Sequence, residues 1–500
     1  MKKNKFNLNH FSIFLLISFP ALLVTGPFLS ELSMNLINII FLYKIFKKNK
    51  FEFLKNKFLI FFILFYLYIF LTIIISDYTE KIYFKHIFYF RHIIFVFAVV
   101  DLLKENKNLI FLFYKVLAIT IFIISIDGII QFFFEFNSLG FKKIRPDRLT
   151  GFFDDKMILG SYLARFLPLL IALLFLNLSL KKIKTLIYGI LIIVLSFLTI
   201  ILSGERMAFY TTFIYLIGLI IMLNYNILVK LLGSFLIILI TLVTVLISPT
   251  LLDRHYQQTK DQLNFNLSEE NFFSNFVFYK DIYSTAVNGY LNSKVFGQGA
   301  RSYRFFCSDK NIESKTINNI NHNIYDLLLQ EEILIKNIYK QEEDFVKKKE
   351  IIFSYIDQGE IKNFYINDNI KILKFNLEKN LIEKKVNLKD KFIYYSVIKN
   401  GCTTHPHNFY LQLLSETGII GFIFLILLFL YLVLLLMKNF IYSILKKKPI
   451  LTNFQICLLL GFLITLLPII PNGNFFNNWL SMIMFFPIGF YIFSLKKVKK

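Results

Sequence analysis

Residues 402–418 read CTTHPHNFYLQLLSETG, with two histidines either side of Pro406 just ahead of an apolar run. An imidazole with an ordinary pKa near ~6.5 is largely neutral at pH 7, so His407 can accept a proton, with His405 a weaker candidate. A second reading stands beside this one: Asn408 caps the following helix and the histidines only decorate its approach. Arg206 opens another apolar run and Arg301 follows Gly297, Gln298 and Gly299. Taken singly, Arg206 is equally an interfacial cation paired with Glu205, and Arg301 a solvated loop charge with Arg304 as its rival.

These side chains need elements to hold them, and the composition says of what kind. The 500 residues are 56% hydrophobic with 61 Phe and a mean hydropathy of +0.59, which excludes an ordinary soluble protein. A spanning helix takes roughly 20 mostly apolar residues. That window predicts an all-α polytopic membrane protein with about twelve transmembrane helices. They lie near 11–29, 31–43, 58–76, 86–103, 109–134, 157–179, 185–202, 206–223, 231–248, 409–437, 451–471 and 476–495. The second is short, and the tenth is long enough for an interfacial or re-entrant piece followed by a span. The first follows Lys2, Lys3 and Lys5 without a small-residue cleavage pattern and reads as an uncleaved anchor.

With both termini cytoplasmic, the inner connections carry 23 Lys against Glu52 and Glu105, nearly all of the +23 net charge. The positive-inside rule absorbs that charge, and a nucleic-acid partner loses its support. Three parts result: a membrane domain over 1–248 with spans 1 to 9, a periplasmic domain over 249–407, and a membrane domain over 408–500 with spans 10 to 12. Within 249–407 the pattern predicts helix through 252–256 and around 271–293. The stretch 309–400 is rich in Lys, Glu, Asn and Ile, with apolar residues too scattered for a large core.

Charged residues inside spans are a separate signal. At about 1.5 Å per residue, Arg91, Asp127 and Arg165 all fall roughly 10 Å below the outer ends of their helices. Such charges are costly unless they pair or line a wet cavity. They predict a supporting polar pocket in which Asp127 orients one arginine while the other meets an anion. The competing account is an ion pair that only ties helices together. Three cysteines exclude a disulfide-rich scaffold and a four-thiolate zinc site. Cys307 and Cys402 both fall in the outer domain, so a Cys307–Cys402 disulfide is expected in an oxidising periplasm, with Arg301 and His407 at the base of the closed loop. Two unpaired thiols are the alternative.

The His-Pro-His-Asn run at 405–408, followed by Glu416, Thr417, Gly418, Ile419, Ile420 and Gly421, resembles the signature of the O-antigen ligase and O-antigen polymerase superfamily. Arg148 to Phe152 leading to Gly160 to Ala164, Ser203 to Ala208, and Phe296 to Gly299 look like the same family, so the likeness spans roughly 120–490. The resemblance implies that His407 is catalytic. It implies that Arg206 and Arg301 bind the diphosphate of a lipid-linked sugar, work suited to a planar fork donating two parallel hydrogen bonds.

It further implies a glycan donor on undecaprenyl diphosphate, presented from the lipid of a bacterial inner membrane, and an acceptor hydroxyl on lipid A core or another glycan. His407 would take the acceptor proton while the arginines neutralise the departing diphosphate, in an inverting reaction with no metal and no cofactor. A polymerase joining repeat units shares this donor chemistry and differs in its acceptor. A polysaccharide or lipid transporter is the rival from another class. It predicts two related halves with interrupted helices in matching places, and no such halves are visible.

Overall fold

The computed structural model describes residues 7–49, 51–106, 108–178, 183–223, 225–262, 279–307, 318–322, 351–357, 360–365, 392–396, 402–445, 447–468 and 470–497. Most of 309–400, and residues 271–278 of the helix expected around 271–293, lie outside the described residues. Every apolar segment of the sequence is helical over most of its length. The first ten helices are α1 Leu8–Leu22, α2 Pro27–Lys48, α3 Lys57–Ile75, α4 Thr79–His86, α5 Arg91–Glu105, α6 Leu109–Phe134, α7 Leu159–Leu178, α8 Ile183–Leu202, α9 Arg206–Met222 and α10 Ile227–Ile247. Short helical pieces α11 Pro249–Leu252 and α12 Gln258–Gln262 flank a π-helical turn at Asp253–Gln257. Then come α13 Lys280–Asn292, α14 Tyr303–Phe306, α15 Phe409–Ile444, α16 Asn453–Thr465 and α17 Asn478–Lys497.

Among the described residues, seven helices are long and apolar enough to cross a bilayer, or eight if α10 counts with its continuation from Pro249, which turns away by 114°. The remaining apolar helices α1, α9 and α16 have 15, 17 and 13 residues. Helices of that length rise only about 20–26 Å, short of the ~30 Å hydrocarbon core. The count of twelve therefore includes helices that do not reach across by themselves.

The helices share one apolar core. The rings of Phe19, Phe95 and Phe486 lie 4.9 to 5.7 Å apart at its centre, with Phe113 and Phe490 packed beside them at tilted angles. Charges mark the two ends. At one, Lys44 meets Asp101 at 3.1 Å and Glu105 at 2.8 Å, and Asn9 donates to Glu105 at 3.0 Å. At the opposite ends of α2 and α5, Glu31 pairs with Arg91 at 3.2 Å. Between α14 and α15 the fold adds what the helical pattern did not foresee, a four-stranded antiparallel sheet. It consists of β1 Asn318–His322, β2 Ile351–Asp357, β3 Glu360–Tyr365 and β4 Phe392–Ser396, in the order β1-β4-β2-β3. Asp357 and Glu360 close the β2–β3 hairpin, and Asn318 pairs with Ser396.

The long tenth segment is one 36-residue helix broken at Gly418, whose φ of 65° and ψ of −167° are not helical. A break releases backbone groups, and in apolar surroundings these must find partners. The 294–299 segment supplies them. Gln298 N–H donates to Ser415 O at 2.9 Å, Gly299 N–H to Glu416 O at 2.8 Å, and Ile419 N–H to Lys294 O at 2.9 Å. The Tyr68 hydroxyl reaches Thr417 O at 2.6 Å and Val295 O at 2.9 Å. Backbone meets backbone so closely that a Cβ on Gly297, itself at φ 68°, would stand 2.5 Å from the main chain of Glu416, Thr417 and Gly418. Gly297→Ala is accordingly expected to cost about 2 kcal/mol or more, read as a lowered thermal midpoint of the detergent-purified chain. Gly233→Ala, where nearest atoms are 3.7 Å away, serves as the tolerated comparison.

Candidate functional site

The break places the start of α15, and the loop before it, beside the Arg301 turn. Asn408 caps α15, accepting from Tyr410 N–H at 2.9 Å and Leu411 N–H at 3.1 Å, while its own amide donates to Pro468 O at 2.6 Å. The capping reading is thus correct for Asn408, yet it leaves His407 unexplained. His407 has φ 53°, in the left-handed region that a non-glycine residue occupies only when its surroundings impose it. The N–H of Asn472 donates to its carbonyl at 2.7 Å and holds it there.

The His407 ring lies 4.1 Å from that of His405 and 5.9 Å from that of Tyr279, between centroids. Burial pushes the His407 imidazole below the ordinary histidine range. Burial, and then the neighbouring His407, carry His405 down to about 3. Both rings are therefore neutral at pH 7, as a proton acceptor must be. One ring nitrogen of His405 is used within its own loop, where Nδ1 meets Thr404 Oγ1 at 2.9 Å, and its carbonyl accepts from Thr403 at 2.6 Å. A disulfide joins Cys307 to Cys402 with Cα atoms 4.9 Å apart, linking the end of α14 to this loop.

Arg206 is the first residue of α9 and is half-buried, and its Nη1 has no hydrogen-bond partner among the described residues. Glu205 does not pair with it. That carboxylate accepts from Gly160 N–H at 2.8 Å, Ser161 N–H at 3.1 Å and Ser161 Oγ at 2.6 Å, at the N-terminus of α7 where backbone donors favour an anion. The electrostatic neighbours of Arg206 are Tyr279, Tyr210 and Asp147. Tyr279 thus stands between two of the expected site residues, its ring toward His407 and its phenol within the field of Arg206 and Arg254.

Arg301 has φ 67° and is half-buried, with Nη2 3.5 Å from Asn478 Oδ1. Burial lowers its pKa, opposed by Tyr89 and Glu416. Its rival Arg304 is exposed. The link from Arg301 to His407 runs through residues 472–478, which hold the His407 carbonyl at one end and reach the Arg301 guanidinium at the other.

Arg91, Asp127 and Arg165 are not brought together as one pocket. Asp127 uses Oδ1 on Ser138, accepting its N–H at 2.9 Å and its hydroxyl at 2.5 Å, and Oδ2 on the Asn137 amide at 3.2 Å. It shapes the 137–138 loop and, among the described residues, orients no arginine. Arg91 is held by Glu31. Arg165 donates to Ser161 O at 3.0 Å and lines a cleft between α7, α9 and α16 with Met207, Thr211, Tyr215 and Asn472, next to both Arg206 and the loop that grips His407.

The structure adds residues for which the sequence offered no role. Arg254 is buried, 3.3 Å from Asp147 and donating to Gly204 O at 3.2 Å. Arg145, Arg148, Arg206 and Arg254 act on one another electrostatically around Asp147 and Glu205, so among the described residues cations outnumber anions there. Tyr279 and Glu416 also join the site. Only Glu416 had a signal, its place in the 416–418 motif. Among the described residues no three His, Cys, Asp or Glu side chains are grouped as metal ligands would be.

The family model described as O-antigen ligase matches residues 191–331, a stretch that contains Arg206, Arg254, Tyr279 and Arg301. No curated protein matches the chain. The family match makes the stretch carrying Arg206, Arg254, Tyr279 and Arg301 similar to the O-antigen ligase family, and it ends ahead of His407.

Proposed function

We propose that this chain is an O-antigen ligase-related glycosyltransferase of the bacterial inner membrane. It moves a glycan from undecaprenyl diphosphate to an acceptor hydroxyl, on lipid A core, at the periplasmic face. The observation that carries this reading is the placement of a neutral, conformationally constrained His407 against Tyr279, a residue that lies within the electrostatic field of Arg206 and Arg254. A proton acceptor and an excess of guanidinium groups therefore share one neighbourhood. Transfer from a diphosphate asks for that pairing.

In the proposed step, the acceptor oxygen attacks the anomeric carbon as its proton passes to His407, and the bond to the diphosphate oxygen breaks in the same displacement, inverting the carbon. The diphosphate leaves as an anion, so it needs charge stabilisation and no general acid. Arg206 and Arg301 supply that stabilisation, doing what a divalent cation does at many phosphate sites, and the reading requires no metal. Residues 249–407 are read as periplasmic and both termini as cytoplasmic, with the lysine-rich connections inside. A polymerase would use the same donor site with a second glycan as acceptor.

Expression in strains lacking the ligase or the polymerase, with the surface glycolipid ladder read on a gel, tests the function. Rescue of attachment supports the ligase, and rescue of chain length alone would replace it with the polymerase. In the responding strain His407→Ala, Arg206→Ala and Arg301→Ala are each expected to lower transfer by roughly 100-fold or more at near-normal abundance. Full activity of all three variants would refute the assignment. The depressed pKa of His407 makes a further forecast. Protonation disables a base, so kcat/KM for the purified chain should be flat through neutral pH and fall only below pH 6.5, with an acid limb above neutrality counting against His407. Finally, Cys307→Ser should expose Cys402 to a membrane-impermeant maleimide in spheroplasts, whereas the unaltered chain should label there only after reduction. Labelling that needs lysis would reverse the topology.

A further inference from the structure

We infer that Glu416 is a positioning residue that aligns Arg301 with His407, a role that rests on the proposed function of that site. Glu416 is fully buried and touches no open space, so it does not contact substrate. A carboxylate in such surroundings is costly unless its oxygens are satisfied. Its donors come from two separate parts of the site. Oε1 accepts the N–H of Tyr303 at 3.1 Å, and the backbone N–H of Arg301 also donates to this carboxylate. Oε2 accepts the side-chain amide of Gln412 at 3.0 Å.

Gln412 is equally buried and carries the connection onward. Its amide nitrogen also donates to Asn474 Oδ1 at 3.0 Å, and its Oε1 accepts the N–H of Phe475 at 2.9 Å. Asn474 and Phe475 belong to the segment that holds the His407 carbonyl through Asn472 at 2.7 Å and the Arg301 guanidinium through Asn478 at 3.5 Å. The circuit closes: from the Arg301 main chain through Glu416 and Gln412 to the 472–478 loop, and from that loop to both His407 and the Arg301 side chain. Arg301 and His407 both occupy left-handed backbone conformations, so each depends on its surroundings to stay in place. A carboxylate suits the junction because it accepts from several donors at once, whereas an amide must turn one donor toward them.

The test uses Glu416→Gln, of nearly the same size, in the full chain in detergent. Hydrogen exchange measured without substrate should show faster exchange at the Arg301 and Tyr303 amides, while the α5 and α17 amides stay protected. Unchanged exchange at 301–303 overturns the proposal. Transfer assays then use Glu416→Gln, Arg301→Lys and the double variant. The expected result is a fall of about 10- to 100-fold for Glu416→Gln, the size of loss that small misplacements of a reacting group bring. In the Arg301→Lys background the same change should cost much less, because the positioned group has already been altered. Equal losses in both backgrounds mean a merely structural role and overturn the proposal, as does wild-type transfer by Glu416→Gln. Gln412→Met is a second variant, expected to speed exchange at Phe475 and lower transfer while leaving Arg301 and Tyr303 amides protected. If the unaltered chain itself transfers no glycan, the proposed function fails, and the exchange result alone decides whether Glu416 holds Arg301.

Discussion

The site depends on the contact between two pieces of irregular backbone inside an apolar bundle. Where α15 breaks at Gly418, the main-chain groups of Ser415, Glu416 and Ile419 turn to the 294–299 segment instead of completing the helix. Hydrocarbon offers no substitute partners, so the two segments satisfy each other or neither is stable there. That mutual requirement leaves little freedom in their relative position. Gly297 and Gly418 lack side chains because there is no room for any between the two main chains. Arg301 leaves one side of the contact and the helix carrying Gln412 and Glu416 leaves the other, so the geometry of the charged groups is inherited from a backbone lock.

Much of this was written in the sequence as separate marks. Apolar runs located the helices, because a hydrophobic run of that length has few other uses, and the 402–418 stretch marked His407, Asn408, Glu416 and Gly418. The number of full crossings was less legible, since apolarity does not say where Thr452 caps α16 or where Pro27 starts α2. No local pattern could show that Gly297 and Gly418, over a hundred positions apart, belong to one contact. Asp127 misled for a related reason. Depth alone predicted that it would serve an arginine, but the nearby 137–138 loop offered donors closer in sequence and took both of its oxygens. The small sheet was less legible because its short strands, two of them rich in Ile, Phe and Tyr, are embedded in Lys- and Asn-rich sequence without clear alternation.

Charge follows a consistent division across the molecule. The lysine-rich end pairs its cations with Asp101 and Glu105, as a surface seeking neutrality would. At the Arg206 end the acids are used otherwise. Glu205 is occupied by the N-terminus of α7, and Asp147 is shared between Arg145 and Arg254. Among the described residues, the guanidinium groups of that neighbourhood outnumber the carboxylates beside them. Burying such an excess is unfavourable for the protein by itself, and on the proposed function an anion of more than one charge, the donor's diphosphate, would relieve it.

The site's position then follows from what the proposed donor is. A polyprenyl diphosphate has an apolar tail that belongs among acyl chains and a glycan that belongs in water, so the bond to be broken lies where the two meet. A site in open water would have to pull the tail from the lipid, and one deep in the bundle would have to dehydrate the sugar. The cleft between α7, α9 and α16 has apolar walls of Ala164, Pro168 and Ile464 with Arg165 and Asn472 among them, and it adjoins Arg206 and the His407 loop. A molecule with one greasy and one polar end can lie along that gradient without either end leaving its preferred surroundings. The polar groups fixed by the Gly297 and Gly418 contact would then meet the diphosphate at the point where the environment changes.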